Sequence, residues 1–169
     1  NNNPSLYLPN QLTIFSNKYG IYPFYDEKYA EVQIFQGFFG GAMENQTNTF
    51  TIATNYELLS AHELAHHWWG NMVTCATFKD IFINESFATY SEAVYDEDNL
   101  GYGDYNGRGY MGQIHGDINR YLNYGDYNKP IYNPGPSLGD VFDVNITYSK
   151  GSAVLHALRL LFRVIYNDS

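Results

Sequence analysis

The residues best suited to chemistry are two histidines and a glutamate in the run HELAH, residues 62–66. On a helix, side chains four residues apart share a face, so the imidazoles of His62 and His66 can reach one metal ion. Imidazole nitrogen is a ligand that suits Zn²⁺. Glu63 is offset on the helix, where it can act as a general base toward a water molecule. The run therefore predicts a catalytic zinc site.

A catalytic zinc site needs a third protein ligand, because such sites combine three protein ligands with one open position. The other histidines are poor candidates. His67 points about 100° away from His66 on a helix, and it is interpreted as a packing residue or a partner to a ligand. His115 and His156 lie on predicted amphipathic helices, where a structural role is favoured. Glu85 is the better candidate, because its distance from the HELAH run fits a second helix packing back antiparallel.

Apolar periodicity indicates the elements that position these side chains. Helices are predicted at residues 6–19, 54–69, 80–100, 105–122 and 149–165, with strands at residues 29–35 and 49–54. Residues 54–57 have the form of a capping box, and the Gly-containing residues 38–41 permit close backbone approach. The last helix carries an apolar stripe at Val154, Leu155, Leu158, Leu161, Phe162 and Ile165. A small sheet followed by helices predicts an α+β fold.

Composition narrows the class of partner. The 169 residues correspond to one ordinary domain. The formal net charge is −9 and no Lys/Arg run occurs, so nucleic acid and anionic membranes are poor partners. Cys75 is the only cysteine, which excludes an intrachain disulfide and a thiolate metal cluster. No segment reaches the roughly 18 apolar residues that span a bilayer. The compartment stays open, with a secreted or cell-envelope bacterial protein favoured over a cytoplasmic one.

Several sequence blocks resemble the M1 family of zinc aminopeptidases, gluzincins that include aminopeptidase N and leukotriene A4 hydrolase. The blocks occur in the family's order and cover nearly the whole chain. They are GIYPF at residues 20–24, GAMEN at 41–45, HELAHHWWGN at 62–71, NESFA at 84–88 and Y-x-K-G at 148–151. The resemblance implies a thermolysin-like catalytic domain spanning residues 1–169. Family enzymes are longer, so the chain is expected to be a fragment that lacks an N-terminal β domain and a C-terminal helical domain.

The resemblance also implies a role for each block. One Zn²⁺ ion would be bound by His62, His66 and Glu85, with Glu63 as the catalytic base. 

The remaining blocks imply substrate contacts. Glu44 would bind the free α-amino group of a peptide through a charge-assisted hydrogen bond. Gly41 and Ala42 would offer backbone groups to the substrate as an added strand would, and Met43 would line the first specificity pocket. Tyr148 would donate a hydrogen bond to the oxyanion.

These roles predict a zinc aminopeptidase that removes residues from peptides with a free N-terminal amine. Three alternatives remain open. A thermolysin-like endopeptidase uses the same zinc chemistry, although the GAMEN block argues against it. An epoxide hydrolase activity is permitted by the shared scaffold, although no residue demands it. A zinc-binding fragment without turnover is the third alternative, because the flanking domains of the parent enzyme would be missing.

Overall fold

The computed structural model describes residues 6–35, 41–52 and 56–166. The chain forms two compact units, Asn1–Thr74 and Cys75–Ser169. Among the described helices, none is long and apolar enough to cross a lipid bilayer. A helix and a small sheet come first along the chain and a run of helices follows, which confirms the predicted α+β class.

Among its described residues, the first unit contains two helices and a three-stranded sheet. In chain order they are α1 (Leu8–Tyr19), β1 (Ala30–Gln33), β2 (Ala42–Met43), β3 (Asn48–Thr51) and α2 (Glu57–Ala65). The sheet is mixed, because the central strand β3 runs parallel to β1 and antiparallel to β2. The strands predicted at residues 29–35 and 49–54 correspond to β1 and β3. Of the predicted glycine-containing segment 38–41, only Gly41 lies within the described residues, and it has a φ of +115°.

Aromatic packing holds α1 against α2. Phe15, Leu64 and Trp68 are almost fully buried, and the rings of Phe15 and Trp68 meet edge to face at 6.0 Å. The Trp68 indole N–H donates to the Gly20 carbonyl at 3.0 Å, where α1 has just ended. Buried Gln11 adds a polar tie, since its side-chain amide donates to the Glu57 carbonyl at 2.9 Å. Residues 62–65 of the HELAH run therefore lie on a helix with a well-packed inner face, and His66 caps the end of that helix.

Helix α2 is shorter than the predicted helix of residues 54–69. It ends at Ala65, and the prediction that it continues to Trp69 is wrong. The chain instead turns, because the Asn71 N–H donates to the His66 carbonyl at 2.9 Å. Gly70 has a φ of +135°, a backbone conformation that favours glycine and cannot continue a helix. Residues 54 and 55 of the predicted capping box lie outside the described residues.

The second unit is built from helices. They are a 3₁₀ turn (Phe78–Asp80), α3 (Phe82–Leu100), α4 (Tyr110–Tyr124), the single turn α5 (Leu138–Val141), a π-helix (Val144–Lys150) and α6 (Gly151–Tyr166). Its hydrophobic core includes Ala93 of α3 with Tyr110 and Ile114 of α4, all fully buried. The helices predicted at residues 80–100 and 105–122 are present with shifted bounds. The last predicted helix begins earlier, as the π-helix, and continues as α6.

Buried Asp96 explains why α4 starts five residues later than predicted. Its carboxylate accepts hydrogen bonds from the Arg108 guanidinium at 2.7 and 2.8 Å, from the Gly109 N–H at 3.1 Å and from the Gln113 amide at 2.8 Å. These bonds hold residues 101–109 in a loop. Gly109 has a φ of +82° and immediately precedes the helix. 

Helix α6 presents its charged side to the rest of its unit. The Arg159 guanidinium makes two hydrogen bonds to Glu97 of α3, at 2.7 and 2.8 Å, and lies 4.7 Å from the Tyr110 ring centroid. The predicted apolar stripe is present but faces outward. Leu161, Phe162 and Ile165 are 52%, 54% and 58% exposed. The contacts of Arg159 therefore hold one side of α6 against α3 and α4, while most of the apolar stripe is exposed.

Candidate metal centre and catalytic residues

Helix α2 positions the two predicted metal-binding histidines of the first unit. His62 and His66 are one helical turn apart, and their ring centroids are separated by 4.8 Å. Both side chains are buried, at 8% and 1% exposure. This arrangement satisfies the geometric requirement of the sequence prediction, because both rings project from one face of the helix.

A hydrogen bond fixes the tautomer of the His66 ring. The His66 Nδ1 lies 3.0 Å from the Trp69 carbonyl oxygen. A carbonyl only accepts, so Nδ1 carries the proton and Nε2 keeps its lone pair. A ligating histidine commonly donates its second ring N–H to such a carbonyl, which orients the ring and raises its basicity. The turn that ends α2 thus fixes the orientation and the tautomer of the His66 ring.

Glu44 of the GAMEN block lies close to the HELAH run. Ligand atoms of Glu44, Glu63 and His66 all lie within 4.8 Å of one another. Glu63 is buried and Glu44 is half-buried. Two carboxylates and an imidazole therefore gather around one small space in the first unit, which can hold a cationic group.

Asn71 holds the backbone of Glu44 in this position. Its side-chain amide donates to the Glu44 carbonyl at 2.9 Å, while its own N–H donates to the His66 carbonyl at 2.9 Å. Strand β2 fixes the other side of Glu44, since Met43 is in register with Phe50 of β3. The sequence analysis assigned no role to Asn71. The signal for one was its position directly after Gly70, at the end of the HELAHHWWGN block of residues 62–71.

His67 packs in an aromatic cluster. Its ring is fully buried and stacks on Tyr22 at 5.5 Å, and its Nδ1 shares a 2.7 Å hydrogen bond with the Tyr22 hydroxyl. Burial, followed by the neighbouring His66, lowers the pKa of His67 to about 4. His67 is therefore neutral at physiological pH, in agreement with the packing role predicted for it.

The second unit contains two of the predicted site residues, Glu85 and Tyr148. Glu85 lies in the first turn of α3 and is buried at 6% exposure. A carboxylate is favoured there by the positive end of the helix dipole. Tyr148 lies in the π-helix and is half-buried. All three side chains predicted to bind zinc, His62, His66 and Glu85, are thus buried groups of a type that zinc prefers.

The two remaining histidines have structural partners, as predicted. His115 is exposed, and its Nδ1 lies 3.0 Å from the Asp104 carboxylate. His156 shares a 2.8 Å hydrogen bond with the buried Tyr110 hydroxyl. Burial first, and then the positive charge of Arg159, lowers the pKa of His156.

A model of the peptidase family M1 domain matches residues 7–163. The chain belongs to peptidase family M1. This membership confirms the resemblance drawn from the GAMEN, HELAH, NESFA and Y-x-K-G blocks. Relatives in this family are named as aminopeptidases and zinc metallopeptidases, so the family predicted from the motifs is confirmed.

Known M1 proteins are similar across most of the chain. Human endoplasmic reticulum aminopeptidase 1 is 33% identical over 104 residues, which is 59% of this chain and 10% of that protein. Aminopeptidase N of Lactococcus lactis is 34% identical over 107 residues, 60% of this chain and 12% of that protein. A crystal structure of an M1 zinc metallopeptidase variant from Deinococcus radiodurans, bound to a Tyr-Ser-Ala substrate, matches with a TM-score of 0.73 and 28% identity. The matched region covers 94% of this chain and 33% of the Deinococcus radiodurans chain.

Proposed function

We propose that this M1 chain carries the hydrolytic site of a zinc aminopeptidase that acts on peptides with a free N-terminal amine. The supporting observation is the approach of Glu44, Glu63 and His66 to within 4.8 Å. A peptide ammonium bound at Glu44 has its first peptide bond a few ångströms away, beside the proposed base and metal ligand. This spacing favours removal of single N-terminal residues over cleavage inside a peptide.

We propose that one Zn²⁺ ion is bound by His62, His66 and Glu85. The donor set suits zinc, because two imidazole nitrogens and one carboxylate oxygen match a known class of catalytic site. The hydrogen bond from His66 Nδ1 to the Trp69 carbonyl leaves the ring tautomer that a ligand needs. When bound, Zn²⁺ would polarise the scissile carbonyl and lower the pKa of water toward neutrality.

The chain's own residues have distinct roles in this proposal. Glu63 takes a proton from the attacking water and delivers it to the leaving amine. Tyr148 donates a hydrogen bond to the oxygen that becomes negative as the carbonyl carbon turns tetrahedral. Glu44 holds the ammonium through a charge-assisted hydrogen bond. 

Strand β2 supports the proposed substrate contacts. It lies at the edge of the described sheet, so Ala42 can pair with a peptide that adds as a further strand, while the neighbouring Gly41 carbonyl accepts from the Ile52 N–H at 3.1 Å. Met43 is 43% exposed and suits a pocket that accepts varied side chains. The chain spans about a tenth of the curated relatives and a third of the solved one. We propose that the single catalytic domain of residues 1–169 works together with further domains of a longer enzyme.

The test combines metal analysis with two matched substrates. The purified chain should bind one zinc ion and hydrolyse leucine amide but not N-acetyl-leucine amide. The variant Glu63→Gln should keep the metal and lose about 100-fold or more in kcat, as expected for a general base. Glu57→Gln, at the start of the same helix, is the control and should retain activity.

Each other result points to a different function. Equal cleavage of the acetylated substrate would favour the thermolysin-like endopeptidase. Zinc binding without hydrolysis of either substrate would favour a fragment that needs its flanking domains for turnover. Full activity in Glu63→Gln would show that another group is the base.

A further inference from the structure

A buried hydrogen bond joins the helix of the proposed ligand Glu85 to the segment that carries Tyr148. The Ser86 hydroxyl, which is 1% exposed, donates to the Thr147 carbonyl at 2.6 Å. Ser86 directly follows Glu85, and Thr147 directly precedes Tyr148. The bond spans 61 positions of sequence, so it reports tertiary placement rather than local helix geometry.

The surrounding residues leave room for this contact and hold the π-helix in place. A Cβ atom added to Gly151 would overlap the Ser86 side chain, so glycine permits the backbone after the π-helix to approach α3. The Thr147 hydroxyl donates to the Val141 carbonyl at 2.8 Å, and both groups are buried. The Lys150 ammonium donates to the Lys129 carbonyl at 2.7 Å. The π-helix is thereby anchored on both sides of Tyr148.

We propose that Ser86 is a positioning residue for the oxyanion-stabilising Tyr148, an inference that rests on the proposed function. The carbonyl that Ser86 binds belongs to the peptide unit joining Thr147 to Tyr148. Fixing that peptide fixes the direction in which the tyrosine side chain leaves the backbone. Oxyanion stabilisation depends strongly on donor geometry, so the effect should appear in the transition state and not in ground-state binding.

The same helix offers a matched control. Ser91 is also fully buried and donates to a backbone carbonyl, that of Phe87 at 2.7 Å. Its bond lies within one turn of α3, whereas that of Ser86 reaches the π-helix. Ser86→Ala and Ser91→Ala therefore remove the same chemical group, but only the first removes the hydrogen bond to the Thr147 carbonyl.

The experiment measures affinity for an aminophosphinic peptide, whose tetrahedral phosphinate copies the oxyanion. Calorimetry on the zinc-loaded chain needs no turnover, and free leucine serves as the ground-state ligand. Ser86→Ala should weaken phosphinate binding by about tenfold, the lower end of the loss seen when an outer partner of a site is removed. Its leucine affinity and zinc content should match those of the parent chain. Ser91→Ala should stay within about twofold in both affinities.

A double-mutant cycle with Tyr148→Phe tests the route of the effect. If Ser86 acts through Tyr148, adding Ser86→Ala to Tyr148→Phe should cause no further loss. The inference would be overturned if the two substitutions reduced phosphinate affinity multiplicatively. It would also be overturned if Ser86→Ala lost zinc, or if Ser86→Ala and Ser91→Ala lost the same phosphinate affinity. If Ser86→Ala fails to fold, Ser86→Cys keeps a weak donor in its place and enters the same cycle with the same criteria. A parent chain that binds neither zinc nor the phosphinate would instead refute the proposed function.

Discussion

At the scale of single residues, Asp96 shows how a buried charge can be stabilised. Burial alone would raise the pKa of this carboxyl, but the hydrogen bonds from Arg108 and Gln113, the charge of Arg108 and the Gly109 N–H outweigh it and lower the pKa. A carboxyl whose pKa is lower in the folded than in the unfolded chain stabilises the fold above its unfolded pKa. That contribution is lost as the pH falls through the folded pKa.

We therefore predict that Asp96→Asn lowers the free energy of unfolding by about 2 kcal/mol at neutral pH, because it leaves Arg108 without its charged partner. The loss should shrink below about pH 4, near the ordinary pKa of aspartate. Urea unfolding at a series of pH values measures both effects. Asp98→Asn, at an exposed position of the same helix, is the control. A difference from the parent chain that stays constant down to pH 2 would contradict the argument.

At the scale of elements, α6 is held by charged and aromatic contacts. Arg159 is 25% exposed and pairs with Glu97 at 2.7 Å, whereas Arg163, one turn later, is 40% exposed and lies 3.9 Å from the same carboxylate. The two arginines share a helix and a partner but differ in burial and geometry. They therefore separate the contribution of a partly buried bidentate pair from that of a more exposed, longer pair.

Arg159→Ala should cost about 2 kcal/mol of stability, because it leaves Glu97 half-paired and removes the cation–π contact with Tyr110. Arg163→Ala should cost under about 1 kcal/mol, as exposed pairs do. Thermal and denaturant unfolding of both variants measure the difference. Equal losses would show that helix packing, rather than the Glu97 pair, stabilises α6.

The same helix shows how far sequence reasoning extends. Periodicity predicted α6 and its apolar stripe, but it could not predict which side packs inward, because the partners Glu97 and Tyr110 lie far away in sequence. The end of α2 was predicted too late. The prediction extended the helix to Trp69, whereas the chain turns through the hydrogen bond from the Asn71 N–H to the His66 carbonyl. His62, Glu63 and His66 could be proposed from sequence because their spacing within one turn is itself typical of a zinc site. Asn71 and Ser86 escaped notice because each acts through a carbonyl distant along the chain.

At the scale of the whole molecule, metal binding should stabilise the folded chain. A ligand that binds only the folded state at 100 times its Kd adds about 2.7 kcal/mol. Chelation of zinc should therefore lower the midpoint of thermal unfolding, and His66→Ala should abolish the difference between zinc-loaded and chelated samples. His115→Ala, at an exposed position with its own Asp104 partner, should retain it. An unfolding midpoint that chelation does not change would contradict the proposed zinc site.

The π-helix also determines how α6 is rotated about its own axis. The Gly151 N–H reaches back five residues to the Ile146 carbonyl, so the segment spends one more residue per hydrogen-bonded ring than an α-helix does. An α-helical path of equal length would deliver α6 rotated by about 100°, the turn of one residue. The Arg159 side chain would then point away from Glu97, and leucine side chains would face Glu97 instead. One surplus residue beside Tyr148 thus determines which side of α6 meets water.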